Sequence, residues 1–330
     1  MRAPRENVLW DRPQALLEGV VRHIERIVIG KRESIEQILI AILCGGHVLL
    51  EDVPGVGKTL LAKTAAKALG CTFGRIQCTP DLLPSDVTGV SVYKKALETF
   101  EFRPGPIMAN IVLADELNRT SPKTQSALLE AMEERHVTVD GETYALPEPF
   151  VVLATQNPLG FEGAYPLPEA QLDRFLMKIR LGYPTAAEET ALLNRADGAM
   201  SSAETRALLS LEELRELQRQ AALTHADDSI KQYIVLLVHA TRRSPELSLG
   251  ASPRASLALL RAAQAQALLR GRGFVVPDDV KALAGPVLAH RLVVRPEASY
   301  ASVVAEEALR RIVRETPVPA SPASFGGVAR

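Results

Sequence analysis

The chain has 330 residues, 47% of them hydrophobic and 23% charged, which is ample for one large core or two smaller ones. A formal charge of −1 gives no overall attraction to nucleic acid or to an anionic membrane. The opening Met1-Arg2-Ala3-Pro4-Arg5-Glu6 lacks the apolar core of a signal peptide, and the longest apolar run, Ile38 to Cys44, is too short to span a bilayer. Cys44, Cys71 and Cys78 sit in apolar stretches without metal-type spacing, so free thiols in a reducing, cytoplasmic setting are expected.

In chain order, a helix is expected from about Pro13 to Val28 and a second from Glu33 to Cys44, with Pro13 suited to a first turn and Gly45-Gly46 to a stop. Between them, Val28-Ile29-Gly30-Lys31 makes a tight apolar corner. An alternation then follows: strand 47–51, helix 58–69, strand 72–78, strand 111–115, helix 122–135 and strand 150–154. This βαβ order predicts a parallel sheet with helices on both faces. Two insertions interrupt it, at Gly89 to Pro106 and at His136 to Leu146; both read as β-hairpins, the second turning at Asp140-Gly141.

After Pro184 the pattern becomes helical throughout. Ser210-Leu211-Glu212-Glu213 reads as a capping box, Ser252-Pro253 as a cap followed by a first-turn proline, and Pro277-Asp278-Asp279 as another helix start. The expected organisation is an α/β domain over 1–183, a smaller all-α domain over 184–316, and a disordered tail, rich in Pro, Ser, Ala and Gly, over 317–330.

The chemistry concentrates first in Glu51-Asp52-Val53-Pro54-Gly55-Val56-Gly57-Lys58-Thr59, between the apolar His47-Val48-Leu49-Leu50 and the helix-prone stretch from Leu60. A buried strand, a Gly-rich turn and a helix start bring backbone N–H groups and the positive helix end onto an anion. Pro54, Gly55, Val56, Gly57, Lys58, Thr59 and Leu60 are therefore candidates to hold ATP, and Ile29 and Gly30 of the preceding corner are candidates for contact with it. Lys58 would reach the β- and γ-phosphates, and Thr59 would ligate Mg²⁺. The strict pattern begins with Gly, and here that position is Asp52. Downstream, Ile111-Val112-Leu113-Ala114-Asp115-Glu116 reads as a central strand with both acids at its carboxyl end. Asp115 would hold Mg²⁺, and Glu116 would polarise the water that attacks the γ-phosphate.

These stretches, with Ala114-Asp115-Glu116-Leu117-Asn118-Arg119 and the run from Pro122 to Arg135, resemble the MoxR family of AAA+ ATPases over nearly the whole chain. The resemblance implies a P-loop NTPase core with two hairpin insertions and a helical lid. It also implies that Asn157, in Ala154-Thr155-Gln156-Asn157-Pro158, is a polar sensor for the attacking water. Arg174, in Leu172-Asp173-Arg174-Phe175, would be an arginine finger acting on a neighbouring subunit's nucleotide, with Arg119 a further candidate at that interface. Arg254, in Gly250-Ala251-Ser252-Pro253-Arg254, would be a second sensor in the lid, in cis or in trans. A homo-oligomeric ring of six subunits is the family expectation, as is a protein partner carrying a von Willebrand factor A domain, remodelled or activated by the ring. Two other functions are open to this architecture: a chelatase ATPase subunit and a nucleic-acid motor. A motor should carry basic hairpin tips, whereas the second hairpin offers Asp140 and Glu142, and Lys94-Lys95 in the first is offset by Glu98 and Glu101. No nucleic-acid partner and no membrane segment are expected.

Overall fold

A computed structural model describes residues 13–156, 165–196, 206–296 and 304–319. It divides into two compact units, Met1–Arg219 and Gln220–Arg330. The first begins with α1 (Pro13–Glu25), α2 (Arg32–Leu43), β1 (Val48–Glu51), α3 (Lys58–Ala68) and β2 (Phe73–Gln77). It continues with α4 (Pro84–Thr88), β3 (Gly89–Lys94), β4 (Thr99–Pro104), β5 (Ile111–Asp115), a 3-10 turn (Leu117–Arg119) and α5 (Pro122–Glu134). β6 (His136–Val139), β7 (Glu142–Ala145), β8 (Val151–Gln156), α6 (Glu169–Leu172), β9 (Met177–Ile179) and α7 (Ala186–Ala196) follow, and α8 (Leu211–Leu223) passes from one unit into the next.

Strands β1, β5 and β8 are near-continuous apolar runs because both faces of the sheet are covered. Five parallel strands lie in the order β2-β5-β8-β1-β9, so β8 separates the strand feeding the phosphate loop from the strand ending in Asp115. The register aligns the carboxyl ends: Leu50 faces Thr155, Glu51 faces Gln156, and Gln77 faces Asp115. Beneath that edge, Leu49, Val112 and Val152 pack with Leu128, Leu129 and Met132 of α5 and with Phe175. Burying a side chain of this size stabilises by about 1.5–3 kcal/mol.

Both expected hairpins are present as β3–β4 and β6–β7, with positive φ at Asp140 and Gly141 in the second turn. They touch each other: the Phe102 and Tyr144 rings stack with centroids 3.9 Å apart and 15° between planes.

The second unit contains α9 (Asp228–Arg243), β10 (Leu247–Leu249), α10 (Pro253–Leu269), α11 (Pro277–Leu288), β11 (Val293–Val294) and α12 (Ala305–Glu315). It is helical as expected, apart from the small antiparallel β10–β11 ladder. The units part after Arg219, whereas the sequence suggests a change near Pro184. Residues 206–219 are held by the first unit: Leu208 N–H donates to Ala68 O, Arg215 to Glu148 O and Gln218 to Ile42 O. Asn157 and residues 320–330 of the expected tail lie outside the described residues. No helix among the described residues is long and apolar enough to cross a membrane. Cys44, Cys71 and Cys78 are free thiols, and burial pushes those of Cys71 and Cys78 up to about 12.

Candidate nucleotide site

Residues 52–57 form the turn between β1 and α3. Gly55 and Gly57 have φ of +87° and +90°, a region where a side chain is strained, and a Cβ on either would meet nothing within 4 Å. Backbone shape, not crowding by the protein, requires these glycines, and the space above the loop is open. Lys58, Thr59 and Leu60 make the first turn of α3, whose early N–H groups have no partner within the helix. The Lys58 ammonium is folded back on the loop, donating to Asp52 O at 2.8 Å and Val53 O at 3.2 Å. Burial lowers its pKa, against the opposing pull of Asp52, Asp115 and Glu116. An anionic phosphate would be a stronger acceptor than either carbonyl.

Asp52, the departure from the strict motif, has a structural role. Its carboxylate is buried and accepts from the backbone N–H groups of Leu181 and Gly182, the latter at 3.2 Å. From the other side Lys31 Nζ donates to Gly182 O and Tyr183 O, each at 3.1 Å. Lys31 directly follows Ile29 and Gly30, which form the turn between α1 and α2. The strap 181–183 thus joins the start of the phosphate loop to that corner. Glu51 sits beside it with Arg180, Lys178 and Gln156. Burial opposes its ionisation, but these three partners outweigh burial and hold its carboxyl below the ordinary carboxylate value.

At the end of β5, Asp115 Oδ1 accepts from the Thr155 hydroxyl at 2.8 Å, and Asp115 Oδ2 pairs with Arg75 at 2.8 Å. Arg75 also donates to Gln77 Oε1 at 2.7 Å. Glu116 has a left-handed backbone, φ +59°, uncommon for a residue with a side chain and found where surrounding structure enforces it. Its N–H donates to Thr155 Oγ1 at 2.7 Å, and its carboxylate pairs with Arg119 at 2.8 Å. Asp115 and Glu116 therefore stand together at the carboxyl edge of the sheet. No local pattern marks Thr155, although it lies in the stretch Ala154 to Pro158, or Arg75, which only the β2–β5 register brings to Asp115.

Arg174 follows α6 and turns onto its own chain, donating to Leu129 O at 2.9 Å and pairing with Glu133 at 3.0 Å. Arg254 is exposed in the first turn of α10, beyond the Ser252 cap. The approach to that cap is tight. A Cβ on Gly250 would lie 2.6 Å from the Arg242 backbone, Ala251 N–H donates to Thr241 Oγ1 at 3.0 Å, and Arg242 Nε donates to Ala251 O at 2.8 Å.

Residues 47–177 match the ATPase family associated with various cellular activities (AAA), and residues 239–312 match the AAA lid domain. The chain is 55% identical over 304 residues to uncharacterized protein YeaC of Bacillus subtilis strain 168, covering 92% of this chain and 95% of that one. It is 44% identical over 312 residues to chaperone MoxR1 of Mycobacterium tuberculosis H37Rv, covering 92% and 82%. A crystal structure of a candidate ATPase from Cytophaga hutchinsonii is similar with a TM-score of 0.88 and 38% identity, over 93% of this chain and 96% of that one. With a phosphate loop, a carboxylate pair at the sheet edge and relatives matched over almost its full length, the chain belongs to the MoxR family of AAA+ ATPases.

Proposed function

We propose that this chain binds ATP with Mg²⁺, hydrolyses it to ADP and phosphate, and works as a ring-forming, chaperone-like remodeller of a protein partner. The observation that carries the reading is the strand order: β8 alone lies between the phosphate-loop strand and the Asp115 strand, so Lys58 and the two acids serve one edge. The residues suit the ligands. The open left-handed turn at Gly55 and Gly57 accommodates phosphate oxygens, with Lys58 as counter-charge. Thr59 and Asp115 offer a hydroxyl and a carboxylate, the hard oxygen donors that Mg²⁺ takes. Bound there, Mg²⁺ would neutralise charge on the phosphates. Glu116 would orient water and hold its proton, Asn157 would help place that water, and Arg174 and Arg254 would meet developing negative charge.

A protein partner is favoured over nucleic acid by the hairpin charges, since Lys94 is paired with Glu101 and the second turn presents Asp140 and Glu142. The relative named as a chaperone points the same way. A von Willebrand factor A domain is the partner class this family suggests, and six subunits the ring size. A chelatase-type subunit is the alternative sharing this architecture. The test of the hydrolytic reading is a pair of variants. Lys58→Ala is expected to lose ATP binding, and Glu116→Gln to bind ATP while turning it over about 10²–10⁴-fold more slowly. Normal ATP affinity in Lys58→Ala, or normal turnover in Glu116→Gln, would remove the assignment concerned.

A further inference from the structure

Thr155 is almost wholly buried, at 1% exposure, in the strand Val151–Gln156, among Val152, Leu153 and Ala154. Packing alone would be served as well by valine, which has the same shape without the hydroxyl. The hydroxyl is used at both ends. It accepts the Glu116 N–H at 2.7 Å, and its own proton therefore goes to Asp115 Oδ1 at 2.8 Å. We infer that Thr155 is a positioning residue of the hydrolytic site, fixing the Asp115 carboxylate and the Glu116 backbone through one hydroxyl. The inference rests on the hydrolytic reading of those two acids.

Geometry supports it in three ways. Thr155 faces Leu50 in β1, and Ala154 faces Ala114 in β5, which brings Thr155 alongside Asp115. A β-branched side chain on a central strand is stiff at χ1, so the hydroxyl is held still. Arg75, a further partner of the Asp115 carboxylate, is 48% exposed and reaches from the edge strand, a contact that solvent weakens. Thr155 is thus the fixed point and Arg75 the movable one. A carboxylate oxygen with one lone pair engaged by Thr155 still has another for a cation. The Glu116 N–H bond matters because Glu116 has a left-handed backbone, φ +59°. Anchoring that N–H helps keep the Glu116 side chain directed at the same edge as Asp115. Neither bond involves Lys58 or the turn at 52–57, so the hydroxyl should govern turnover and metal-dependent affinity, not the intrinsic hold on the nucleotide.

The test uses the full chain with Thr155→Val, which keeps the shape, and Thr155→Ser, which keeps the hydroxyl. Thr155→Val is expected to lower kcat about tenfold or more, the effect of losing a hydrogen bond to a charged group. Affinity for a fluorescent ATP analogue measured without Mg²⁺ should stay within about threefold of the parent, while the gain in affinity on adding Mg²⁺ shrinks. Thr155→Ser should restore both. Unchanged kcat in Thr155→Val, or a serine variant as slow as the valine one, overturns the inference. If Thr155→Val does not unfold cooperatively, Thr155→Ala is read in its place by the same criteria. Glu116→Gln separates the two levels. Full turnover in that variant removes the hydrolytic reading and this inference with it, whereas a slow Glu116→Gln beside a fast Thr155→Val removes this inference alone.

Discussion

Single residues decide how this phosphate loop is held, and Asp52 is the most instructive. Motif reasoning alone would judge glycine the better residue there. The structure argues the opposite, because the Asp52 carboxylate satisfies the N–H groups of Leu181 and Gly182 while its backbone carbonyl receives Lys58. Asp52→Gly would leave two N–H groups of the strap without this acceptor and free the start of the loop. ATP affinity, measured by titration calorimetry, is expected to fall about tenfold. Asp52→Asn keeps one acceptor oxygen and should lose less. Equal or tighter binding by Asp52→Gly would show that the strap contributes nothing to the loop. The residue types of the candidate site are legible in the sequence, since Lys58, Thr59, Asp115 and Glu116 stand in local patterns that chemistry explains. The partners that position them are not. Thr155 and Arg75 reach Asp115 only across strand register, and Leu181 reaches Asp52 across 129 positions of sequence.

Among the elements, α5 explains why the run from Pro122 to Arg135 is so distinctive. Ser121 caps its first turn through Thr124 N–H, and the Thr124 hydroxyl donates to Leu82 O at 2.7 Å. The buried Gln125 amide lies 3.2 Å from Leu117 O and 3.3 Å from both Thr120 O and Tyr165 O. Arg135 ends the helix in a left-handed conformation usually left to glycine, and its guanidinium takes Gly45 O and Phe150 O. The helix therefore braces the turn that follows Glu116. Gln125→Leu strands buried carbonyls and is expected to cost about 1–3 kcal/mol in denaturant unfolding, with a loss of turnover exceeding the loss of ATP affinity. A variant destabilised to this degree with normal turnover would disconnect α5 from the site. Elements written in local pattern were readable in advance: the apolar runs of β1, β5 and β8, the Asp140-Gly141 hairpin, and the caps at Ser210 and Ser252. β9 was not, because three residues with Lys178 at their centre make no hydrophobic run. The division after Arg219 was not either, because it depends on where Leu208, Arg215 and Gln218 find their carbonyls.

For the whole molecule, the question is what completes the site. Within one chain Arg174 is committed to Leu129 O and Glu133, beside a cavity of about 260 Å³ lined also by Ser126, Glu130, Glu134 and Gln171. The pair with Glu133 is a third exposed, and such pairs contribute only about 0–1 kcal/mol, so a phosphate on a neighbouring copy could draw the guanidinium away. An arginine delivered in trans is worth about 10³–10⁵ in rate. ATP turnover per subunit, followed over a wide range of protein concentration with Mg²⁺ present, is therefore expected to rise and then saturate. Arg174→Ala should flatten that curve near its lower limit while leaving ATP affinity intact. Glu133→Ala, which removes the charged partner and leaves only the bond to Leu129 O of the two, should shift the rise to lower concentration or leave it in place, never abolish it. A parent protein whose turnover does not depend on concentration admits two explanations, a ring already assembled at the lowest concentration or a site complete in one chain. Arg174→Ala separates them: a preformed ring loses activity with the arginine, whereas a self-sufficient chain keeps it.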